Sequence, residues 1–510
     1  MSDCRRKSAG RDGKNDGVLD FDSCYRAMAS RDTRFDGAFV VAVTSTGVYC
    51  RPVCGARTPK PANCRFFKVP AAAEAAGFRA CRRCRPETAP SSPEWNVRGD
   101  LVARALRLIA GGTVDELGVA GLARQLAVSA RHLHRQLVAE VGVGPLALAL
   151  NRRAHVARML IESSTLPLSD VAFAAGYSSI RQFNGAILAA FGRAPRELRR
   201  AHAAHDTAGS GPLLLHLRFR PPLDGEALLA WLRARAVPGV ERVDGHRYHR
   251  TLRLPRGSGF AELDLAPATA RSGPAVGRHR QVPVRLTLED LRDVTAAVRR
   301  CRDLCDLDAD PAAVAETLGA SPALRARADA APGLRVPGCA DAFELAVRTV
   351  LEQHHPPERA ARLCGRLVAR WGERAVAPDG EPDRLFPTAR ALADADPGAL
   401  GLGTRQAAAV HSLARAVADG ALALGQDADR ETTVAALRAL PGLAPWAVAR
   451  IATHALLDPD VFSAEDPALR RAAQELGLPR DPHALAREAH AWRPWRSYAA
   501  MHLLTATPPA

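Results

Sequence analysis

Residues 437–456 read LRALPGLAPWAVARIATHAL. Two apolar-periodic segments flank a Leu-Pro-Gly turn, and this pattern predicts two helices joined by a tight hairpin. The turn motif alone is a weak signal, because many helical proteins contain it. From about residue 296 to the end, further Ala/Leu/Arg-rich segments are broken by Pro and Gly. They predict an all-helical domain around the hairpin.

Upstream of this domain the pattern changes. LLLHLRF (213–219) and HRYHRTLRL (246–254) alternate as strands do, whereas DGEALLAWLRARA (224–236) and TLEDLRDVTAAVRR (287–300) predict helices. Residues 95–200 show helical periodicity, and residues 17–87 form a short, cysteine-rich stretch. We therefore predict a multidomain α+β protein in four units, 17–87, 95–200, 213–295 and 296–510. A disordered tail is expected at 1–16, and linkers at 86–93 and 201–212.

The charge balance favours a nucleic-acid partner. Lys and Arg number 70 against 54 Asp and Glu, which gives a formal net charge of +16. A purely solubilising role for this charge remains an alternative. The polar N-terminus has no secretory h-region, and no segment approaches the roughly 18 apolar residues that span a bilayer. We expect a cytoplasmic, nucleoid-associated protein without membrane contact, in which clustered cysteines bind metal rather than form disulfides.

Two close cysteine pairs have the spacing of a metal site. Cys50 and Cys54 form a C-x3-C pair, and Cys81 and Cys84 form a C-x2-C pair. Four sulfurs supplied by two tight turns suit one tetrahedral Zn²⁺. A purely structural zinc ribbon is the plain interpretation of the spacing. Cys24 and Cys64 lack partner spacing and are taken as ordinary residues of the fold.

The residues around these cysteines point further. DGAFVVAVTSTGVYCRPVCGARTPKPANCRFF (36–67) and FRACRRCRP (78–86) resemble the N-terminal domain of the Ada family. The resemblance implies that Cys50 accepts a methyl group from a DNA phosphotriester and that Cys54, Cys81 and Cys84 complete the zinc shell. Methylation of one thiolate changes the site from −2 to −1, which weakens its repulsion of DNA phosphate. The flanking Arg51, Arg57, Arg82 and Arg83 are phosphate-binding candidates or solvated surface charge.

Residues 113–145 and 168–198 each contain two helical segments around a short turn. A plain helical bundle is one interpretation, but AHVARMLIESSTLPLSDVAFAAGYSSIRQFNGAILAAFGRAPREL (154–198) resembles the AraC family of DNA-binding domains. The resemblance implies operator DNA and RNA polymerase as partners. The second helix of each unit then presents its first residues to the bases: Arg131, His132, His134, Ser179, Arg181 and Gln182.

The C-terminal half resembles the AlkA family of 3-methyladenine DNA glycosylases. The resemblance rests on the hairpin, on PDVFSAEDPALRRA (459–472), on RPWRSYAAMHLL (493–504), on CDLDADPAAVAETLG (305–319) and on DAFELAVRTVLEQ (341–353). It implies a TATA-binding-protein-like domain at 213–295, hairpin amides near Gly442 and Ala444 that bind phosphate, and turn carbonyls that hold a monovalent cation. Asp466 becomes the catalytic carboxylate, with a helix N-cap role as the alternative. Trp446 and Trp495 become base-stacking residues, with core packing as the alternative.

The resemblance is incomplete in places. The second hairpin glycine is Ala444, the following Thr is Ala447, and a third pocket aromatic is Arg450. His354 stands at the position of the minor-groove wedge, and Glu352 precedes it, where a carboxylate near phosphate is unfavourable. No lysine follows the hairpin, so no β-lyase step is expected. The Pro-Cys-His-Arg motif of O6-alkylguanine repair is absent from the sequence.

Three functions remain in competition. The first is a sensor fused to an active, monofunctional glycosylase that excises 3-methyladenine and 7-methylguanine without a small-molecule cofactor. The second is a transcription regulator whose weakened glycosylase half serves as a DNA-binding scaffold; the departures at Ala444, Ala447, Glu352 and Arg450 motivate it. The third is a zinc or thiol redox sensor, which predicts indifference to alkylated DNA.

Overall fold

The computed structural model describes residues 20–32, 35–84, 86, 101–164, 166–200, 212–266, 281–425 and 428–505. The expected tail at 1–16 lies outside these ranges, and the expected linkers at 86–93 and 201–212 lie outside them except for residues 86 and 212. Within the described ranges, no helix has the length and apolarity to cross a membrane.

The N-terminal unit is a small sheet with two helices. Helix α1 (Phe21–Ala29) precedes four strands in the order β3-β1-β2-β4. These strands are β1 (Val40–Val43), β2 (Val48–Cys50), β3 (Cys64–Phe67) and β4 (Arg79–Ala80), and α2 (Pro70–Ala75) lies between the last two. Strand β2 pairs in parallel with β4, with Tyr49 opposite Ala80. This register places Cys50 and Cys81 side by side, one residue beyond the paired positions.

The second unit is all helical in its described residues. Its helices are α3 (Leu101–Gly111), α4 (Thr113–Gln125), α5 (Ala130–Val141), α6 (Pro145–Ser163), α7 (Leu168–Ala174), α8 (Ile180–Phe191) and α9 (Pro195–Arg200). Ser129 caps α5 by accepting from His132 N, and Ser179 caps α8 by accepting from Gln182 N. Helix α4 is kinked at Gly118 (φ 68°) and ends at Gln125.

A five-stranded antiparallel sheet forms the third unit, with strand order β5-β9-β8-β7-β6. Its strands are β5 (Leu213–Arg218), β6 (Glu241–Asp244), β7 (Arg247–Leu254), β8 (Gly257–Asp264) and β9 (Gln281–Leu288), and α10 (Gly225–Arg235) follows β5. The helix expected at 287–300 begins later than predicted. Because Thr287 and Leu288 pair with Phe260 and Gly259 in the sheet, α11 (Val294–Leu304) begins only after a 3-10 turn.

The fourth unit packs helices around the hairpin. They are α12 (Pro311–Gly319), α13 (Pro322–Ala330), α14 (Ala342–Glu352), α15 (Pro357–Trp371), α16 (Ala389–Ala393), α17 (Thr404–Ala418), α18 (Arg430–Ala439), α19 (Pro445–His454), α20 (Pro467–Glu475), α21 (Pro482–Glu488) and α22 (Arg496–Thr505). The predicted hairpin is α18, the turn 440–444, and α19. Gly442 has φ 86°, a left-handed backbone conformation that favours glycine, and a Cβ there would lie only 2.9 Å from Ala409 Cβ. Both the backbone conformation and the packing therefore disfavour a side chain at this position.

The first three units share one apolar core rather than standing apart. A single cluster of buried residues includes Tyr49, Leu160 and Leu215. A polar joint accompanies it, because the buried Arg220 donates from Nε to the carbonyl of Asp36 at 2.9 Å and from Nη1 to that of Asp308 at 2.8 Å. Arg220 therefore connects the N-terminal unit to the sheet unit. Its bond to Asp308 also places this joint next to the start of α12.

Candidate metal centre and glycosylase site

The four paired cysteines converge as their spacing predicts. The sulfur atoms of Cys50, Cys54, Cys81 and Cys84 all lie within 4.8 Å of one another. The pairing of β2 with β4 supplies one cysteine from each strand end, and the turns that follow supply the other two. Backbone geometry supports the cluster further, because Arg51 N donates to Cys84 Sγ at 3.4 Å.

The donor set fits one zinc ion. Zn–S bonds of about 2.3 Å in a tetrahedron require sulfurs a little under 4 Å apart, which this cluster accommodates. Hydrogen bonding among the sulfurs, led by Cys54, raises the pKa of Cys50, whereas hydrogen bonding led by Cys50 lowers the pKa of Cys81. Four sulfurs this close share protons in the absence of a cation. A divalent ion lets all of them be thiolates.

The arginines around the cluster divide into two kinds. Arg51 is buried and forms an ion pair with the buried Asp36, so it does not face DNA phosphate as one interpretation of the sequence expected. Arg57, Arg82 and Arg83 are exposed. Arg82 also donates to the carbonyl of Gly192 at 3.4 Å, at the C-terminal cap of α8. Only the exposed arginines remain phosphate-binding candidates.

We expect Asp36→Asn to lower the free energy of unfolding of the N-terminal unit by about 3–5 kcal/mol, because it leaves the Arg51 charge buried without its partner. A urea titration that follows metal release to a chromophoric chelator measures the change. The double variant Asp36→Asn/Arg51→Met is the control, since removal of both charges is expected to restore most of the loss. Equal losses in the single and double variants would contradict the pairing.

The six predicted DNA-reading residues lie at the N-terminal ends of α5 and α8. Arg131, His134, Arg181 and Gln182 are exposed, and His132 is half-buried. Ser179 is also exposed, but its hydroxyl is used as the N-cap of α8. Both helix ends therefore present donors to solvent, in positions that suit contacts with base edges.

The hairpin turn is braced by a residue that the sequence did not single out. Gln353 donates from Nε2 to the carbonyl of Gly442 at 2.9 Å and accepts from Ala444 N at 2.6 Å. It therefore connects the loop that carries His354 with the turn. Its place after α14 was visible in the sequence, but no spacing rule links residue 353 to residue 442.

A cavity of about 400 Å³ lies between the hairpin and this loop. Its lining includes Trp446, His354, Gly442 and Ala444, so four predicted site residues meet there. Trp495 lines a different cavity of about 50 Å³ and packs edge-on against Tyr498 at 5.6 Å. The two predicted stacking tryptophans thus do not share one cavity, and neither cavity is lined by Asp466.

Asp466 opens α20. Its Oδ1 accepts from Ala468 N at 2.8 Å and from Leu469 N at 3.4 Å, so the N-cap geometry considered as the alternative is present. Oδ2 makes no hydrogen bond to the part of the chain that is described. The cap fixes the carboxylate and leaves one oxygen without a protein donor, in a residue that is 7% exposed.

The expected conflict between Glu352 and phosphate does not arise in this geometry. Glu352 is turned inward, with its side chain 4% exposed, and accepts from Arg450 Nη1 at 2.5 Å. Arg235 approaches its other oxygen at 3.5 Å. Two departures from the glycosylase pattern, Glu352 and Arg450, therefore compensate each other in charge. This pairing was not anticipated, because the two residues lie on different helices.

Four family models match successive segments of the chain. They are the metal binding domain of Ada at 23–87, a helix-turn-helix domain at 122–201, the AlkA N-terminal domain at 214–341, and the HhH-GPD superfamily of base excision DNA repair proteins at 347–497. With the cysteine cluster and the braced hairpin, they define a DNA repair glycosylase fused to an Ada-like DNA-binding regulator. The Ada, AraC-type and AlkA resemblances and the multidomain fold class are confirmed.

Similar proteins cover nearly the whole chain. The probable bifunctional transcriptional activator/DNA repair enzyme AlkA of Mycobacterium tuberculosis is 48% identical over 489 residues, which is 95% of this chain and 96% of that one. The chain belongs to this family. DNA-3-methyladenine glycosylase 2 of Escherichia coli is 34% identical over 56% of this chain and 95% of its own. Ada of the same organism is 40% identical over 28% of this chain and 38% of its own.

Proposed function

We propose that Cys50 takes a methyl group from a methylphosphotriester in DNA. A sulfur lone pair forms the S–CH3 bond, the O–CH3 bond breaks, and the phosphodiester leaves as an anion. The single observation that supports this step is the cluster of four sulfurs, in which one Zn²⁺ held by Cys50, Cys54, Cys81 and Cys84 would supply thiolate character at neutral pH. One ion per chain is expected, and the transfer is stoichiometric because the thioether is not converted back to a thiolate.

We further propose that the C-terminal half excises damaged purines, including 3-methyladenine and 7-methylguanine. The nucleotide is flipped out of the duplex while His354 fills the gap that it leaves. Trp446 stacks with the base, and Trp495 supports the wall of the neighbouring cavity. The N-glycosidic bond then breaks with its electron pair on the base, and water adds to the sugar. Asp466 Oδ2 stabilises the cationic sugar or orients that water.

Each segment of the chain has one proposed task. Residues 17–87 accept the methyl group, residues 95–200 read operator DNA and engage RNA polymerase, residues 213–295 support the glycosylase, and residues 296–510 bind and cleave the lesion. A monovalent cation on the turn carbonyls around Gly442 would compete with Gln353, which already donates to one of them. We propose that both halves of the chain bind double-stranded DNA, which is either alkylated DNA or operator DNA.

A second candidate is a regulator whose glycosylase half only binds DNA. It is favoured by one observation, that Trp446 and Trp495 line separate cavities and that neither cavity includes Asp466. Base release decides between the two. Purified full-length chain incubated with methylated duplex DNA is expected to release free purines over many turnovers. Methyl uptake without base release would exclude the active glycosylase and support the regulator that only binds DNA.

Operator reading has its own expected result. Arg181→Ala removes a donor fork from the exposed start of α8, so we expect operator affinity to fall about tenfold, within the 1–3 kcal/mol range of one base contact. Binding is measured at fixed salt, with base release from methylated DNA as the internal control, which should not change. Unaltered operator affinity would show that Arg181 does not contact the operator bases.

A further inference from the structure

Four arginines form a row on the exposed side of α15. Arg359, Arg362, Arg366 and Arg370 follow one another at intervals of three, four and four residues, which places them on one face of the helix. All four are exposed, whereas the opposite face of α15 packs into the apolar core of the fourth unit. At 1.5 Å per residue, this arginine row is about 16 Å long.

The positive charge of the arginine row is not neutralised by carboxylates. Within the described ranges, its first two members make no side-chain hydrogen bond or ion pair. The third and fourth donate to neutral backbone carbonyls, of Gly401 at 2.9 Å and of Ala399 at 3.3 Å. The only carboxylate of α15, Glu358, lies about a quarter of a turn away from the row. Asp396, beside the neighbouring 3-10 turn, accepts instead from Gly398 N at 3.2 Å.

The arginine row borders the cavity of about 400 Å³ under the hairpin. Helix α15 begins directly after the loop whose His354 lines that cavity. The backbone that accepts from the last two arginines leads into α17, where Arg405 and Gln406 line the same cavity. Gln406 Nε2 also lies 3.0 Å from His355 Nε2, which joins α17 to the start of α15. The segment 399–406 therefore contacts the row on one side and the cavity on the other.

We propose that the arginine row binds the phosphate backbone of one duplex arm beside the lesion, as a surface additional to the hairpin turn. This inference rests on the proposed glycosylase function. A strand of B-DNA carries one phosphate about every 3.4 Å along the duplex axis, so a row of about 16 Å reaches several phosphates of one strand. Arginine suits this contact because it is always charged and its donor fork matches phosphate oxygens. The face presents no large apolar side chain among its exposed residues, which disfavours a protein partner.

The position of the row predicts an asymmetric contact. The row starts next to the loop that carries His354 and extends away from it along α15. A lesion placed at the cavity would therefore have the row under one arm of the duplex, over about five base pairs, and not under the other arm. Contacts with phosphate carry no sequence information, so the row would hold any duplex while the damaged nucleotide is flipped.

The test measures base release from duplexes with a single 7-methylguanine under single-turnover conditions, with the concentration of full-length protein varied. Release reports only DNA bound at the glycosylase half, so binding by the helix-turn-helix unit does not contribute. For Arg359→Gln/Arg362→Gln we expect the half-saturating protein concentration to rise about tenfold at about 0.1 M salt, and its log–log dependence on salt to become shallower by about two. Arg415→Gln/Arg487→Gln, at exposed sites on α17 and α21, removes the same charge elsewhere and is the matched control.

Duplexes with unequal arms test where the arginine row binds. The lesion is placed about three base pairs from one end and about twelve from the other, and then in the reverse arrangement, so that only one duplex reaches the whole row. We expect the unaltered chain to bind one arrangement about tenfold more tightly than the other, and Arg359→Gln/Arg362→Gln to lose this difference. Arg359→Lys/Arg362→Lys keeps both charges, so it is expected to retain the salt dependence and most of the difference between the arms.

Three results would overturn the inference while base release still supports the glycosylase. They are equal dependence on the two arms in the unaltered chain, an arm difference that Arg359→Gln/Arg362→Gln retains, and a Gln double variant that behaves as its matched control does. A loss confined to the maximal rate would also overturn it, because the arginines would then act on chemistry or folding and not on DNA affinity. Absence of base release from the unaltered chain would overturn the proposed function, and the inference with it.

Discussion

Asp466→Asn is expected to slow base release about 10²–10³-fold while duplex binding persists. The carboxylate is fixed by its own helix, since Oδ1 caps α20 and Oδ2 has no partner in the described structure. Asparagine keeps the cap and the size of the side chain but removes the negative charge that we propose stabilises the cationic sugar. Single-turnover release of 7-methylguanine, measured beside a DNA-binding titration, separates chemistry from affinity.

The chain offers a close control for this substitution. Asp481 also caps a helix that begins with proline, accepting from Ala484 N at 2.8 Å at the start of α21. Asp481→Asn makes the same chemical change at a cap of the same kind that is exposed to solvent, so it is expected to leave base release unaltered. Equal effects of the two substitutions would show that capping, and not catalysis, explains Asp466.

Cys50→His is expected to abolish methyl uptake from methylphosphotriester DNA. Histidine preserves a metal ligand at the position but removes the sulfur nucleophile. The four sulfurs lie within 4.8 Å of one another, so all of them are available as metal ligands. Because histidine can still bind the ion, a loss of methyl uptake in this variant reports on the missing sulfur and not on a disrupted cluster. Peptide mass spectrometry after reaction with methylated DNA locates the added methyl group.

The matched variant is Cys54→His, which makes the same exchange at a neighbouring ligand. It is expected to retain the methyl group on Cys50, at a reduced rate set by the altered metal shell. A metal assay on both proteins establishes that each still binds the ion. Methylation of Cys54, Cys81 or Cys84 in the Cys50→His protein would contradict the assignment of Cys50 as the methyl acceptor.

Local patterns predicted most of the architecture. Strand alternation at 213–219 and the Leu-Pro-Gly hairpin are short-range signals, and each appears in the structure. The cysteine spacing succeeded for the same reason, since each pair lies within one turn. The helix expected at 287–300 was wrong in its start, because pairing of β9 with β8 outcompetes helix propensity there.

Contacts distant in sequence were not predictable. Glu352 and Arg450 are 98 positions apart, and each seemed a defect when considered alone. The joint from Arg220 to Asp36 spans 184 positions and connects units that the sequence treats as separate. Buried polar contacts of this kind follow from packing geometry, which no single segment encodes.

The central claim is that one chain performs two different reactions on damaged DNA. Its most direct test is a single reaction of full-length protein with excess methylated duplex, in which methyl on the Cys50 peptide and free purine bases are counted together. The account predicts that methyl uptake saturates at about one equivalent per chain, the limit of one thiolate acceptor, while purines continue to accumulate beyond that ratio. Purine release that stops with the methyl transfer, or never begins, would contradict it.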